Sequence, residues 1–479
     1  MNLSMILEMA ASTGERAVAT VGNRTLTAAG LDALARRAAA QFRNHPAVLY
    51  LGSNHLAYPV ALFGSALAGV PFVPLNYRLG EQQLTALKAK HPGALVLEQE
   101  DLDALVDDSY ATGDPEPPLE PQWDGDTVAA IIYTSGTTSD PKPAILRHRH
   151  LLAYVLNTME FGSAAETDAS LVSVPPYHIA GLTNLLSNFY TGRRVVYLPA
   201  FDPQVWLETV RRERVTHAML VPTMLARIVA TLGDDTADTP TLASLAYGGS
   251  RTPRPVLEHA LRAFPDTGFV NAYGLTETAS SVAVLGPDDH RTAFDSTDPA
   301  VRDRLGSVGR PLPGIEIEIR SEAGEPVPAG ETGLIFVRGE QISGEYGNRS
   351  VLDAEGWFST RDLGRLDTDG YLYVEGRSDD TIIRGGENIA PAEIEDVLLA
   401  HPGITEAAVI GVSDTEWGQR IVAVLVGDGD PDEIRQWVKE RLRSSKTPDN
   451  IVFRDELPKT ETGKLLRRTL LAELEATHA

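Results

Sequence analysis

From about residue 127 the chain alternates short β-rich runs with amphipathic stretches of helical length: TVAAIIY, HRHLLAYVLNTME, ASLVSVP, GLTNLLSNFYTG and RRVVYLP follow one another. Strands spaced by helices in this way line up in parallel with helices on both faces, so the pattern predicts a doubly wound sheet. THAMLVP, LASLAYGG and TGFVNAYG continue it, each ending in a loop marked by Gly or Pro. Such sheets bind ligands at the loops beyond their strand ends, and site residues are expected there. Residues 20 to 105 also mix strands (AVLYLG) with helices (LAYPVALFGSALAG), and the Pro-rich acidic stretch ATGDPEPPLEP at 111 to 121 reads as a connector.

After Gly306 the texture changes to closely spaced strands with turn residues, IEIEIR, TGLIFVRG, GWFSTRD and GYLYVEGR, which predict an antiparallel, barrel-like element. A boundary is expected near Asp379. Beyond it PAEIEDVLLAH, EAAVIGV, RIVAVLVGD, PDEIRQWVKERLR and NIVFRD read as helix, strand, strand, helix, strand, a small α+β unit of about 100 residues.

Composition removes several function classes. The formal charge of −24 disfavours binding to nucleic acid or to an anionic membrane surface. There is no cysteine, so disulfides, thiolate metal sites and a cysteine nucleophile are excluded, and any sulfur chemistry must come with a ligand. The first residues lack the basic flank and apolar run of a signal peptide, and no stretch of 18 apolar residues occurs elsewhere; a cytoplasmic location is the expectation.

The run YTSGTTSDPKP follows the strand VAAII and is expected to precede a helix. Hydroxyls and N–H groups of Thr134, Ser135, Gly136, Thr137 and Thr138 suit phosphate oxygens, with Lys142 as a mobile positive charge. Alone, such a run has a solvated Ser/Thr-rich turn after a buried strand as its alternative reading. Four further strings follow it in order: NAYGLTET, STRDLG, GRSDDTIIRGGENIAPAEIE and LPKTETGKLLR. In order and spacing the five resemble the adenylate-forming enzymes, a superfamily that includes acyl- and aryl-CoA ligases, luciferases and carrier-loading adenylation domains. The likeness runs from about Asn23 to Arg468, and GGENIAPAEIE is closer to the CoA ligases.

The resemblance implies a large N-terminal domain over 1–378, of doubly wound sheets plus a small distorted β-barrel, and a small mobile α+β C-terminal domain over 379–479. Asp379 resembles the hinge between an adenylating and a thioester-forming pose, with Gly376 close by. Tyr273 would lie against adenine, with Asn271, Ala272 and Gly274 of the same string around it. Thr276 would contact the α-phosphate, and Glu277 would hold Mg²⁺ between phosphates, as suits a carboxylate and a cation that keeps several waters. Asp362 and Arg377 resemble the pair that reaches the ribose; read alone they are a structural ion pair between strands. Lys464 resembles the lysine that bridges the acyl carboxylate and the α-phosphate, although by itself it is one more exposed lysine in a basic tail.

His178 resembles the gate of the acyl pocket, and Tyr247, Gly248, Gly249 and Ser250 the turn lining the acyl and adenine sites. Gly181 and Ser281 are further pocket candidates. Gly385 and Gly386 fall where CoA ligases bring backbone against the pantetheine tunnel, and Gln419 matches a recurrent CoA ligase position. Carboxylic acid, the AMP moiety of an acyl-adenylate (or ATP), coenzyme A and Mg²⁺ are the implied ligands.

Two positions depart from the family's loop, which usually carries Gly where this chain has Ser139 and Pro143. Gly supplies positive φ and close backbone approach; Pro143, with Pro141, stiffens the loop and removes a donor. Adenylation needs a clamp on departing pyrophosphate, whereas thiol attack on a preformed acyl-AMP does not. The expectation is weak or absent adenylation, with thioesterification of a preformed acyl-adenylate by CoA as the main activity and another enzyme making the adenylate. A complete two-step ligase, a carrier-loading domain and a non-catalytic binding protein are the alternatives.

Overall fold

A computed structural model describes residues 1–107, 124–134, 141–384, 387–414, 417–442, 444–460 and 463–478. The connector at 111–121 lies outside them. The larger of two big sheets has nine strands among the described residues. Its middle is parallel, with Ala17–Val21, Arg194–Tyr197, Ala169–Val172, His217–Leu220, Ser244–Gly248 and Gly268–Leu275 side by side in that order. Antiparallel strands flank it: Arg24–Thr27 on one side, Ser280–Leu285 and Arg310–Pro311 on the other.

In the second sheet Leu95–Leu97, Val48–Tyr50, Phe72–Pro74 and Val128–Thr134 run parallel, and Lys142–Arg147, Glu345–Tyr346 and Arg349–Ser350 continue it antiparallel. One apolar core takes in side chains of both sheets, from Leu3 to Leu305. The helix Ala57–Ala68 is buried along almost its whole length, which explains why its sequence is apolar on every face.

The closely spaced strands after Gly306 form a four-stranded antiparallel sheet, Glu316–Arg320, Gly333–Arg338, Phe358–Leu366 and Leu372–Arg377. Its apolar side shares a core with Val282 and Ala283 of the strand Ser280–Leu285, next to the edge of the nine-stranded sheet. Beyond it, Ile404–Asp414, Gly418–Gly427 and Asn450–Phe453 make a three-stranded sheet covered on both faces. Val409, Ile421 and Leu425 pack on the helices Pro391–Leu399 and Pro431–Arg441, while Ala408, Ile410 and Val424 meet Leu470 and Leu474 of the last helix. Burial on both faces is why IVAVLV is apolar without alternation. No helix among the described residues is long and apolar enough to cross a membrane.

One expectation needs correction. The phosphate run does not lead into a helix: Thr134 pairs with Lys142 and Tyr133 with Pro143, so the run caps an antiparallel hairpin, and the helix His148–Thr158 starts only after the strand Lys142–Arg147. The prolines of PKPAILR concealed that strand, since Pro reads as a breaker. Lys142 is therefore a strand residue at the loop's base, with its backbone held in the ladder.

Three buried histidines make the fold acid-sensitive. His290 sits between the Gly286 carbonyl, to which Nδ1 donates at 2.7 Å, and the Tyr247 hydroxyl, which donates to Nε2 at 2.8 Å. Burial brings His290, His148 and His150 down to about 4. Unfolded, each titrates near the ordinary value of about 6.5, so below that pH only the unfolded chain takes up these protons. Stability is complete above that value and is lost as pH falls toward 4, by about 1.4 kcal/mol per pH unit for each histidine. The melting temperature is expected to drop steadily between about pH 7 and pH 5, and less steeply in His290→Gln; equal slopes would contradict the neutral His290.

Candidate active site

A buried carboxylate lies where the two folding styles meet. Tyr273, near the end of the strand Gly268–Leu275, donates its hydroxyl to Asp362 Oδ2 at 2.6 Å, and Arg377 Nε lies 2.9 Å from Asp362 Oδ1. Asp362 and Arg377 are register partners in adjacent strands, and Arg377 also donates to the Thr360 carbonyl at 3.0 Å. Burial pushes the Asp362 carboxyl up, against the pull of Arg377, Tyr273 and Lys464. Each oxygen has one partner, leaving lone pairs for further donors such as ribose hydroxyls. Tyr273 is half-buried.

The residue before Asp362 is unusual. Between the pairs Leu334–Leu363 and Phe336–Ser359 a single residue, Ile335, faces three, Thr360, Arg361 and Asp362. Within this bulge Arg361 adopts φ +61°, a left-handed conformation that costs a non-glycine residue about 1 kcal/mol. The Thr360 hydroxyl holds the bulge, donating to the Ile335 carbonyl at 2.9 Å and accepting from Asp362 N–H at 3.1 Å.

Glu277 is buried in a short 3₁₀ turn after the same strand. The Tyr346 hydroxyl donates a short hydrogen bond to its carboxylate, and its carbonyl accepts from Ser343 N–H at 2.8 Å. Tyr346 in turn pairs with Ala144, Gly347 N–H reaches the Pro143 carbonyl at 3.2 Å, and Glu345 takes Arg147 in a bidentate ion pair. The 343–347 segment thus ties Glu277 to the base of the phosphate hairpin. Sequence reading missed Tyr346; a two-residue strand carries no periodic signal. Among the described residues no three His, Cys, Asp or Glu cluster as metal ligands. A lone carboxylate fits Mg²⁺, which commonly takes one protein oxygen and completes its shell with phosphates and water.

Gly248 and Gly249 form the turn after the strand Ser244–Gly248. A Cβ on Gly248 would come within 2.2 Å of the Ala272 carbonyl oxygen, and Gly249 has φ +89° beside open space. Ser250 follows, partly buried, and Asn271 gives its amide to the Ser307 carbonyl at 3.2 Å. Gly274 has no room for a side chain, since a Cβ would meet the Ser280 carbonyl oxygen at 1.9 Å. Thr276 is partly buried beside Glu277. Tyr247 is 1 % exposed, and its hydroxyl meets His290. Gly181 is buried against Pro175 and Pro176. His178 caps the helix Ile179–Thr191, its ring 4.6 Å from that of Tyr177. Thr183 donates its hydroxyl to Ser280 Oγ at 3.1 Å, with Ser281 beside them, and burial raises the phenol of the nearby Tyr154, opposed by Ser280 and Ser281.

The C-terminal part reaches this cleft through one hairpin. Lys464 N–H donates to Thr460 Oγ1 at 3.0 Å, and the Lys459–Leu465 bridge closes the turn. Gly463, φ +78°, lies so close to the helix Pro222–Leu232 that a Cβ would sit 2.1 Å from Thr223 Cγ2. Lys464 is exposed. Surrounding protein and Arg377 nonetheless lower its pKa, opposed by Asp362, Asp380 and Glu277. Arg251, one residue past Ser250, forms an ion pair with Asp396 of the helix Pro391–Leu399. Asp379 is exposed in the short turn Ser378–Asp380, three residues past Gly376. Gln419 Oε1 accepts from Ile383 N–H at 2.6 Å, bracing the strand before Gly385. Ser135, Gly136, Thr137, Thr138, Ser139, Gly385 and Gly386 lie outside the described residues. The structure thus brings Tyr273, Glu277, Asp362, Arg377 and Lys464 within mutual electrostatic reach.

A family model described as AMP-binding enzyme matches residues 7–346, and one described as AMP-binding enzyme C-terminal domain matches 393–464. Feruloyl-CoA synthase from an Amycolatopsis species is 38 % identical over 453 residues, covering 90 % of this chain and 89 % of that protein. Indoleacetate–CoA ligase of Aromatoleum aromaticum is 33 % identical, covering 92 % of each chain. Among solved structures, the o-succinylbenzoate CoA synthetase of Bacillus subtilis in complex with its acyl-adenylate intermediate superposes with a TM-score of 0.82 at 31 % identity over 97 % of each chain. With both models matched in chain order and relatives of this extent, the chain belongs to the AMP-binding, adenylate-forming enzymes, in their acyl-CoA ligase branch.

Proposed function

We propose that this chain is a cytoplasmic ligase that joins an aromatic carboxylic acid to coenzyme A through an acyl-AMP, and that adenylation is its handicapped half-reaction. The observation carrying the first part is the presentation of Lys464 to the cleft that holds Asp362, Arg377 and Glu277. A lysine there neutralises charge between an acyl carboxylate and an α-phosphate as the carboxylate oxygen attacks phosphorus and pyrophosphate leaves. In the second step the CoA thiolate attacks the acyl carbonyl and AMP departs. Tyr273, Asp362 and Arg377 serve both steps as the adenosine platform. Mg²⁺ on Glu277 would offset phosphate charge in the first step only.

The aromatic acid is supported by the names of the relatives, feruloyl, indoleacetate and o-succinylbenzoate, all ring-bearing acids. The hydroxyl cluster of Tyr154, Thr183, Ser280 and Ser281 offers polar partners to a substituted ring. The handicap is argued from Pro143. Its ring occupies the base of the phosphate hairpin opposite Tyr133, where it has no N–H to give a phosphate oxygen.

Each half-reaction has its own test. Thioester formation from synthetic feruloyl-AMP plus CoA is expected to outrun formation from ferulate, ATP, Mg²⁺ and CoA by at least about tenfold. Ser139→Gly with Pro143→Gly is expected to narrow that gap. Equal rates in the unaltered protein would remove the handicap and leave an ordinary two-step ligase. Product from the adenylate alone would place acyl-AMP synthesis in a separate enzyme, and a requirement for holo carrier protein would replace CoA as acceptor.

Gly463→Ala addresses the pose. The added methyl collides with Thr223, and its φ is unfavourable for alanine. Loss of ATP-dependent product by about tenfold or more, with acyl-AMP turnover unchanged, is expected. Equal losses in both assays would mean that the contact is needed for the fold alone.

A further inference from the structure

Glu277 sits in a hairpin turn that its own backbone strains. Leu275 and Ser280 are register partners, and Thr276, Glu277, Thr278 and Ala279 join them. Ala279 leaves the turn at φ +50° and Ser280 follows at φ +113°, the one consecutive pair of left-handed non-glycine residues among the described ones. Hairpin loops that leave a turn left-handed usually do so on glycine. Alanine and serine persist there only where the surroundings over-determine them.

Those surroundings include Gln341, which is 1 % exposed. Its Nε2 donates to the carbonyls on both sides of the strained pair, Thr278 at 2.9 Å and Ser281 at 2.8 Å. Both partners are acceptors, so only the NH2 end of the amide can face them. Oε1 is then buried with no hydrogen-bond partner among the described residues, an arrangement that is stable only if the two donated bonds outweigh it. The same segment goes on to hold Glu277 itself: Ser343 N–H donates to its carbonyl at 2.8 Å, Gly344 N–H at 3.3 Å, and the Tyr346 hydroxyl to its carboxylate. Ser280 is anchored from the opposite side by Thr183, 3.1 Å from its Oγ, so a turn released from Gln341 relaxes at its Glu277 end.

We propose that Gln341 is a positioning residue for adenylation: by bridging Thr278 and Ser281 it keeps the left-handed pair in place, and so sets where Glu277 presents its carboxylate to Mg²⁺ and the phosphates of ATP. The inference rests on the ligase reading above and adds to it a residue that touches neither substrate nor metal. Strain gives a test that a packing role would not pass. Glycine at 279 removes the unfavourable contact of a left-handed Cβ, and with it the need for the bridge.

The full-length protein, Gln341→Met, Ala279→Gly and the double variant are compared by calorimetry with α,β-methylene-ATP plus Mg²⁺ and with AMP. Methionine is a similarly long, unbranched side chain without a donor. The analogue is expected to bind about tenfold more weakly to Gln341→Met, with AMP affinity within about threefold. Ala279→Gly is expected to match the unaltered protein within about twofold, and the double variant to recover to within about threefold of it. The kcat for ATP-dependent thioester formation should follow the same order while turnover of acyl-AMP with CoA is unchanged. Unchanged binding in Gln341→Met, equal weakening of both nucleotides, or a double variant no better than Gln341→Met would each overturn the proposal. Should Gln341→Met not fold, the double variant decides alone, and its failure to restore folding and binding overturns the proposal. So would an unaltered protein that binds the analogue no better than AMP. Failure of the ligase reading shows separately, as no thioester from any acyl-AMP and CoA.

Discussion

The Asp362 carboxylate is the point on which the cleft depends. It is buried, and a buried charge is stable only when paired and hydrogen-bonded. Its partners come from different elements: Tyr273 from the nine-stranded sheet and Arg377 from the last strand before the Ser378–Asp380 turn. One interaction therefore fixes the antiparallel sheet against the parallel one and sets where the chain leaves for the C-terminal part. Removing either partner would leave the charge exposed to a low-dielectric surrounding, a penalty of several kcal/mol by analogy with other broken buried pairs. The same arrangement suits an adenosine, because an ordered acceptor beside a half-open aromatic ring needs no reorganisation when a ribose and a base arrive.

A second constraint joins the carboxylate end to the phosphate hairpin. Ser343 and Gly344 hold the Glu277 backbone, Tyr346 its carboxylate, and Gly347 the carbonyl of Pro143. Arg147 and Glu345 close the circuit, and the arginine lowers the Glu345 carboxyl below its usual range. A rigid hairpin base and a fixed carboxylate are thus one unit. Under the proposed function this unit would bear on a pyrophosphate clamp and scarcely on thiol attack.

Most of the architecture was legible because it is periodic. Strands such as TVAAIIY and helices such as GLTNLLSNFYTG declare themselves over seven or more residues, and the apolar run IVAVLV announces a sheet covered on both faces. What escaped was either short or non-local. The strand Lys142–Arg147 hid behind its prolines, and Tyr346 sits in a strand of two residues. Tyr247 belongs to a string that resembles a pocket turn, yet whether its hydroxyl faces a cleft or His290 depends on a residue 43 positions away. Arg361 could not be singled out either, since positive φ at an arginine comes from pairing with Ile335 and not from its immediate neighbours.

Among the described residues, two contacts of the C-terminal part with the cleft are weak ones. Gly463 touches Thr223 without a hydrogen bond, and Arg251 and Asp396 are each 46 % exposed in their side chains. A surface ion pair of that kind is worth about 0–1 kcal/mol, well below what a buried pair such as Asp362–Arg377 commands. A ligase that presents Lys464 for one step and must withdraw it for the next needs such an imbalance. Were the Lys464 pose held by several kcal/mol, its alternative would be populated below about one part in a thousand and the second step would wait on it. The strong interactions described above lie within the platform and the weak ones across the seam, and we propose the exposed Asp379 turn, with Gly376 before it, as the hinge for such a movement.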